Sequence, residues 1–397
     1  MNNLKKTAIQ LSVLCGINAF MTFTINDIVR AAVLYDITDL SIDLSNNGYS
    51  LAIATDINDA GQIVGPGVSI GRTQSGGLLW SSNGIIELDK QSNGNYYTSP
   101  QKINNLGQVV GSYYTPNRES AFLWSDSTGI FDLGIFPGGN YSKAQGINDM
   151  GQVVGFADTR NQTYRSNGTH AFLWSNNTGM IDLGTLPGGD YSEAYGINNL
   201  GQVVGTSNYT ENFLHAFLWS SNTGMIDLGT LQNGEYSRAN SINNVGQVVG
   251  TSTLNRDDNA DGDKDSRAFV WSSSTGMIDL GIIPGRYNFT ANDINDAGQI
   301  VGEAAKNEFD RHAFVWTQSH GMVDLNTLID PNSGWTLWGA TAINNKGQIV
   351  GYGTYQQSYD YRAFLLTPKS AESVPEPSIT ISMIFFGLFT SYLYRRH

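Results

Sequence analysis

The nine residues INDMGQVVG at positions 147–155 recur almost unchanged from Ile57, Ile103, Ile197, Ile242, Ile294 and Ile343. These seven isoleucines step by 46, 44, 50, 45, 52 and 49 residues. A period of that size is the mark of a repeat architecture and not of two or three independent domains. Each unit carries four short segments, as in YSKAQGI, GQVVG, AFLWS and GMIDLG, all rich in β-branched, aliphatic or aromatic residues and separated by turn signals. None has the length or the 3.6-residue period of a helix. Asn148-Asp149-Met150-Gly151 and Asn176-Asn177-Thr178-Gly179 read as hairpin turns with glycine where a positive φ is needed. The expectation is an all-β chain: a seven-bladed β-propeller of four-stranded antiparallel blades.

An alanine stands three residues before the repeated isoleucine in six units (Ala54, Ala144, Ala194, Ala239, Ala291, Ala340), with Pro100 in the other. Small side chains suit the crowded axis, so YSKAQGI is placed innermost and MIDLG outermost. The seventh unit, Ala363-Phe364-Leu365-Leu366, has no IDLG segment after it, while Tyr35-Asp36-Ile37-Thr38-Asp39-Leu40 has no partner at the other end. The N-terminal segment is expected to supply the missing outer strand and close the ring.

Formal charge is −13, only 14% of residues are charged, and no basic stripe tracks a phosphate backbone, which excludes nucleic acid as a partner. The only cysteine, Cys15, lies in an N-terminal apolar stretch that follows Lys5 and Lys6 and ends at Val29-Arg30-Ala31. Residues 1–32 read as a secretory signal peptide. The remainder then has no disulfide, no thiolate metal site and no thiol nucleophile. The propeller is expected over residues 33–368, followed by a linker at 369–378 and a C-terminal transmembrane helix at 379–397, in which Ile379–Tyr394 is apolar and Arg395 and Arg396 are cytoplasmic.

Two resemblances attach to these residues. Pro375-Glu376-Pro377, the apolar run and the Arg395-Arg396 end resemble the PEP-CTERM sorting signal over about the last 24 residues. This implies recognition by an exosortase in an exopolysaccharide-making bacterium. The triplets His170-Ala171-Phe172, His215-Ala216-Phe217 and His312-Ala313-Phe314 resemble the HAF family of probable extracellular repeats; sister units carry Ser120, Arg267 or Arg362 in place of the histidine. That family implies an extracellular setting and no settled activity.

Repeated chemistry argues for structure. Asp132, Asp182, Asp227, Asp279 and Asp324 recur at one place in the blade, whereas a catalytic carboxylate needs a partner and a special environment. The interrupted set of histidines argues against a metal ring. Variation is concentrated elsewhere: the stretch from the last Gly of GQVVG to the next Trp runs from 13 residues (Gly111 to Trp124) to 21 (Gly250 to Trp271). These loops emerge on one face, where binding is expected. Tyr113, Tyr114, Tyr164, Tyr209, Tyr355, Tyr359 and Tyr361 are placed there, joined by Trp335 and Trp338 from the longest connection between blades. Flat rings with polar neighbours suit sugars or peptide planes. Asp257, Asn259, Asp261, Asp263 and Asp265 alternate around Gly262 and match the first half of a calcium loop. The twelfth position is Ala268 in place of the bidentate Glu, which leaves a solvated acidic loop as the rival reading; a Ca²⁺ held there would stiffen the loop and do no chemistry.

The reading is an exported envelope or extracellular-matrix propeller. It binds exopolysaccharide or a surface protein, is not an enzyme, and reaches the membrane through its C-terminal helix before processing. A propeller glycosidase or lyase is the alternative, and a passive coat protein is the third reading. An enzyme needs non-repeated acid and base groups converging near the axis, and the sequence offers no convincing set.

Overall fold

The computed structural model describes residues 34–369 except 43, 45–48, 70–74, 90–96, 117, 160–167, 211–212, 233, 255–264, 308, 357 and 359. Seven antiparallel sheets succeed one another along the chain, each a blade of a β-propeller. In blade 3 the strands are β11 (Ser142–Ile147), β12 (Val153–Asp158), β13 (Thr169–Ser175) and β14 (Gly179–Asp182), paired in that order. Blade 1 departs slightly, because its inner strand is broken into β2 (Tyr49–Ala52) and β3 (Asp56–Ile57), both paired with β4 (Ile63–Ser69). In blade 7, β27 (Trp335–Ile343), β28 (Ile349–Tyr355) and β29 (Arg362–Pro368) are completed by β1 (Tyr35–Asp39), in the register Tyr35↔Pro368 to Asp39↔Phe364. The expected ring closure is therefore present. Among the described residues no helix is long and apolar enough to cross a membrane. The segments expected as a signal peptide, as a linker beyond Lys369 and as a C-terminal transmembrane helix fall outside the described residues.

The core lies between blades. One cluster joins Val110 and Ala121 of blade 2 to Ala144, Val153, Phe172 and Trp174 of blade 3, and equivalent clusters join other neighbours. The six inner-strand alanines are completely buried, as are Phe122, Phe172, Phe217, Phe269, Phe314 and Phe364. The division of labour inferred from side-chain size, small at the axis and aromatic between blades, is what the blades show.

The recurring phrase accounts for itself residue by residue. Its first Asn closes the hairpin: in blade 4 the Asn198 side-chain oxygen accepts from the backbone N–H of Leu200 and Gln202, each at 3.0 Å. Its amide donates to Gln202 Oε1 at 2.8 Å and to the carbonyl of Asn243 in the next blade at 3.0 Å. The inter-blade bond recurs from Asn58, Asn104, Asn148, Asn243, Asn295 and finally Asn344, whose amide donates to the Asn58 carbonyl, closing a ring of hydrogen bonds. The next residue, Asn or Asp, makes a second closed ring by accepting the backbone N–H of its counterpart in the preceding blade.

The last glycine of the phrase is required by a bulge. In blades 3 to 6 the inner strand slips register just after its alanine, as between Ala144 and Gly146. This pushes a carbonyl toward the glycine, so a Cβ on Gly250 would stand 1.9 Å from the Arg238 carbonyl oxygen. A Gly250→Ala chain is expected to lose about 2 kcal/mol of unfolding free energy, in the range of overpacked cores. Equal urea midpoints for wild type and Gly250→Ala would rule out the bulge account.

Candidate functional site

The repeated aspartates and histidines meet within their own blades. His170 Nδ1 lies 2.8 Å from Asp182, His215 2.9 Å from Asp227 and His312 2.5 Å from Asp324. Burial is the largest influence and would raise these three carboxyls, but the histidine hydrogen bond and charge, together with the donors at Gly184, Gly229 and Asn326, offset it and hold them below the usual range. Arg118 serves Asp132 in blade 2, and Arg362 serves Asp39 of β1 at 2.7 Å in blade 7. These pairs lock the third strand, or in blade 2 the residue just before it, to the outer one.

The channel departs from repetition. Immediately before the seven isoleucines stand Asp56, Lys102, Gly146, Gly196, Ser241, Asp293 and Ala342. Lys102 of blade 2 puts its ammonium 3.1 Å from Asp56 of blade 1 and 3.7 Å from Asp293 of blade 6, reaching across the axis. Non-repeated acids and a base therefore do converge there, contrary to the sequence expectation. Their bonds tie blades together: Asp56 accepts the Ile103 N–H at 2.8 Å, and Asp293 accepts the Ile343 N–H at 3.0 Å and the Ser241 hydroxyl at 2.7 Å. The signal that could have revealed them was charge at a position occupied elsewhere by small residues. On the turn side of this bridge the channel opens as a polar cavity of about 180 Å³, lined by the Asn and Asp rings.

Toward the loop face the inner strands present Lys143, Glu193 and Arg238 at one register position of blades 3, 4 and 5. The Tyr195 hydroxyl donates to Glu193, and the Arg238 guanidinium lies 3.8 Å from the Tyr195 ring centre. Lys143 approaches Glu119 at 2.5 Å and the Tyr114 hydroxyl at 3.4 Å. Burial, reinforced by Glu193, pushes the Tyr191 and Tyr195 hydroxyls up, so both stay protonated donors at neutral pH.

Of the aromatic residues expected in loops, Tyr113 is a correction. It ends up in β8 (Val109–Tyr114), only 9% exposed and packed in an inter-blade cluster. Tyr114, in the same strand, stacks on Tyr97 with ring centres 4.8 Å apart. Tyr209 lies in β16 (Val203–Thr210), against Phe213 and His215. Tyr164 and Tyr359 fall outside the described residues. So do Asp257, Asn259, Asp261 and Asp263 of the calcium-like loop, whose described end, Asp265, is buried.

Trp335 and Trp338 do not share a surface. Trp338 meets Tyr361 edge-on at 5.3 Å and donates its indole N–H to Thr354 at 3.3 Å. Tyr361 in turn abuts Tyr352, whose hydroxyl donates to Glu303 at 2.9 Å. Trp335 instead lies 5.7 Å from Tyr355 and 6.2 Å from Phe364. With Tyr355, Arg362, Asp39, Asp330 and Ser333 it lines a cleft of about 510 Å³ beside β1. Arg362 sits 5.4 Å from the Tyr355 ring centre while paired to Asp39. The cleft combines two half-exposed rings with fixed charged and hydroxyl groups, the make-up of a small-ligand site.

Residues 233–373 match a family described as "Protein of unknown function (DUF3466)". No curated protein matches the sequence. Among solved structures, TolB from Acinetobacter baumannii is similar with a TM-score of 0.45 and 12% identity, covering 70% of this chain and 64% of TolB. The chain thus spans less than two thirds of TolB. A PL25 ulvan lyase bound to -[GlcA(1-4)Rha3S]- is similar at 0.43 and 14%, covering 81% of this chain and 95% of the lyase. The fucose-specific lectin from Aleuria aurantia is similar at 0.34 and 12%, covering 69% and 93%. These likenesses concern the propeller fold and carry nothing about activity.

Proposed function

We propose that this chain is an exported surface propeller that recognises polysaccharide, and that the Trp335–Tyr355 cleft is where a sugar ring seats. The observation that carries the reading is the cleft itself, a concavity with adjacent indole and phenol rings and an Arg362–Asp39 pair at its wall. Aromatic faces bind the apolar faces of sugars, while fixed charged and hydroxyl groups take the ring hydroxyls. Export, HAF-type repeats and an exosortase-recognised tail at Pro375-Glu376-Pro377 are the setting in which this recognition operates. The reading is recognition and not turnover, because the buried acids of the channel are committed to Lys102 and to backbone N–H groups.

Titrating the full chain with the host's exopolysaccharide separates the two tryptophans. Trp335→Ala is expected to weaken binding about tenfold, the loss of roughly 1.4 kcal/mol of stacking. Trp335→Phe retains most affinity, and Trp338→Ala binds like wild type. An unchanged affinity in Trp335→Ala, or product release from the polysaccharide by the wild type, overturns the reading.

A further inference from the structure

The repeated phrase leaves one position unconstrained, the tip residue between its second Asn or Asp and its Gly. In four consecutive blades that residue is large and aliphatic, and it points into solvent: Leu106 is 68% exposed, Met150 61%, Leu200 69% and Val245 67%. The other three tips are Ala60, Ala297 and Lys346, all exposed. Neither packing nor hydrogen bonding calls for an aliphatic side chain at a turn tip, so an arc of four on one face marks a surface meant to be covered.

The chain leaves the propeller on that same face. Inner hairpin turns and the ends of third strands lie at one end of every blade, and blade 7 has Pro368 as the end of its third strand. Pro368 Cγ stands 3.4 Å from where a Cβ on Gly347, in the seventh turn, would be. Beyond Lys369, residues 370–378 precede the apolar run from Ile379 to Tyr394. Nine residues reach at most about 30 Å even when fully extended. If the run enters a bilayer, the turn face is held close to that bilayer.

We propose that the turn face docks on the membrane surface, with Leu106, Met150, Leu200 and Val245 entering the boundary between headgroups and acyl chains. This rests on reading residues 379–394 as a membrane segment. The face also carries the carboxylates of Asp59, Asp149 and Asp296 around the channel mouth, with Lys346 as the only cationic tip. Its lipid partner is therefore zwitterionic, since an anionic surface would repel those carboxylates. Docking leaves the loop face turned outward.

The test uses the full chain in phosphatidylcholine vesicles containing nitroxide-labelled lipid. A fluorophore is placed on Met150→Cys or on Asp360→Cys at the loop face, each with Cys15→Ser. Flotation with the vesicles that is lost when the chain ends at residue 378 reports the tail and not the N-terminal apolar stretch, and quenching reports the face. Quenching at position 150 is expected to exceed that at 360 at least about threefold, as for side chains inserted at an interface. It falls in phosphatidylglycerol vesicles. It also falls in the Leu106→Ser, Leu200→Ser, Val245→Ser variant, whose melting is unchanged because these tips have no core contacts. A chain that floats but is quenched equally at both positions, or at neither, overturns the docking and leaves the tail intact. A chain that does not float removes the tail reading and the docking with it.

Discussion

Replacing Asn198 with alanine is expected to lower the unfolding free energy by about 3 kcal/mol, among the larger effects a single polar truncation produces. The side chain is 3% exposed and makes four hydrogen bonds, which is the full capacity of an amide. Alanine leaves the N–H groups of Leu200 and Gln202, the Gln202 side-chain oxygen and the Asn243 carbonyl without this partner. Each buried polar group left unpaired costs about 1–3 kcal/mol, partly relieved by water at the channel mouth. Asn198→Asp keeps both acceptor roles but sets a carboxylate against two oxygen acceptors. It is expected to be as damaging at neutral pH and milder in acid. Urea unfolding measures both, and losses under about 1 kcal/mol for Asn198→Ala would mean that the ring is incidental to stability.

The second ring explains why its residue alternates between Asp and Asn. In blade order it runs Asp59, Asn105, Asp149, Asn199, Asn244, Asp296, Asn345. No two acids are neighbours, including across the closure between Asn345 and Asp59, and three is the largest number that a ring of seven can hold on that condition. Each carboxylate instead accepts flanking amides, as Asp149 does from Asn105 at 3.2 Å and Asn199 at 3.0 Å. Adjacent acids would repel and would lack the donor that each carboxylate needs.

Much of this was legible in the sequence because repetition reports on what every blade needs. Blade number, strand order and closure by Tyr35–Asp39 followed from spacing and from a strand missing at one end and spare at the other. The internal role of Asp182 and its counterparts followed from their recurrence. What escaped depended on directions that spacing does not carry. Tyr113 read as a loop residue because the strand continues past GQVVG, and alternation turns it into the core. Trp335 and Trp338 read as one aromatic patch, but Trp335 finishes against Tyr355 and Phe364 and Trp338 against Tyr361. Lys102 was hidden for the opposite reason, since a residue that breaks a repeat has no copy to draw attention to it.

The largest loss is expected when Lys102 becomes methionine, because Asp56 and Asp293 would then share the axis with no cation between them. Their side chains are only 8% and 11% exposed, and removing one member of a buried charged set costs about 3–5 kcal/mol. In the wild type, burial pushes Asp56 up from 3.8 to about 6, although Lys102 pulls it the other way. Burial would also drive the Lys102 ammonium toward neutrality, but Asp293 and Asp56 more than offset this and keep it charged. The sign of the pH effect follows from Asp56. A carboxyl with a folded pKa above its unfolded value binds more protons when folded, so it adds stability as pH falls from about 6 toward 3.8. Without Lys102 that upward shift grows. The deficit of Lys102→Met should therefore be greatest near pH 8 and shrink steadily toward pH 5. The triple variant Asp56→Asn, Lys102→Met, Asp293→Asn removes all three charges and is expected to recover stability at pH 8 to within about 1 kcal/mol of wild type. A deficit that is the same at pH 5 and pH 8 would show that Lys102 matters for the volume it fills and not for its charge. The bridge across the axis would then be a matter of packing.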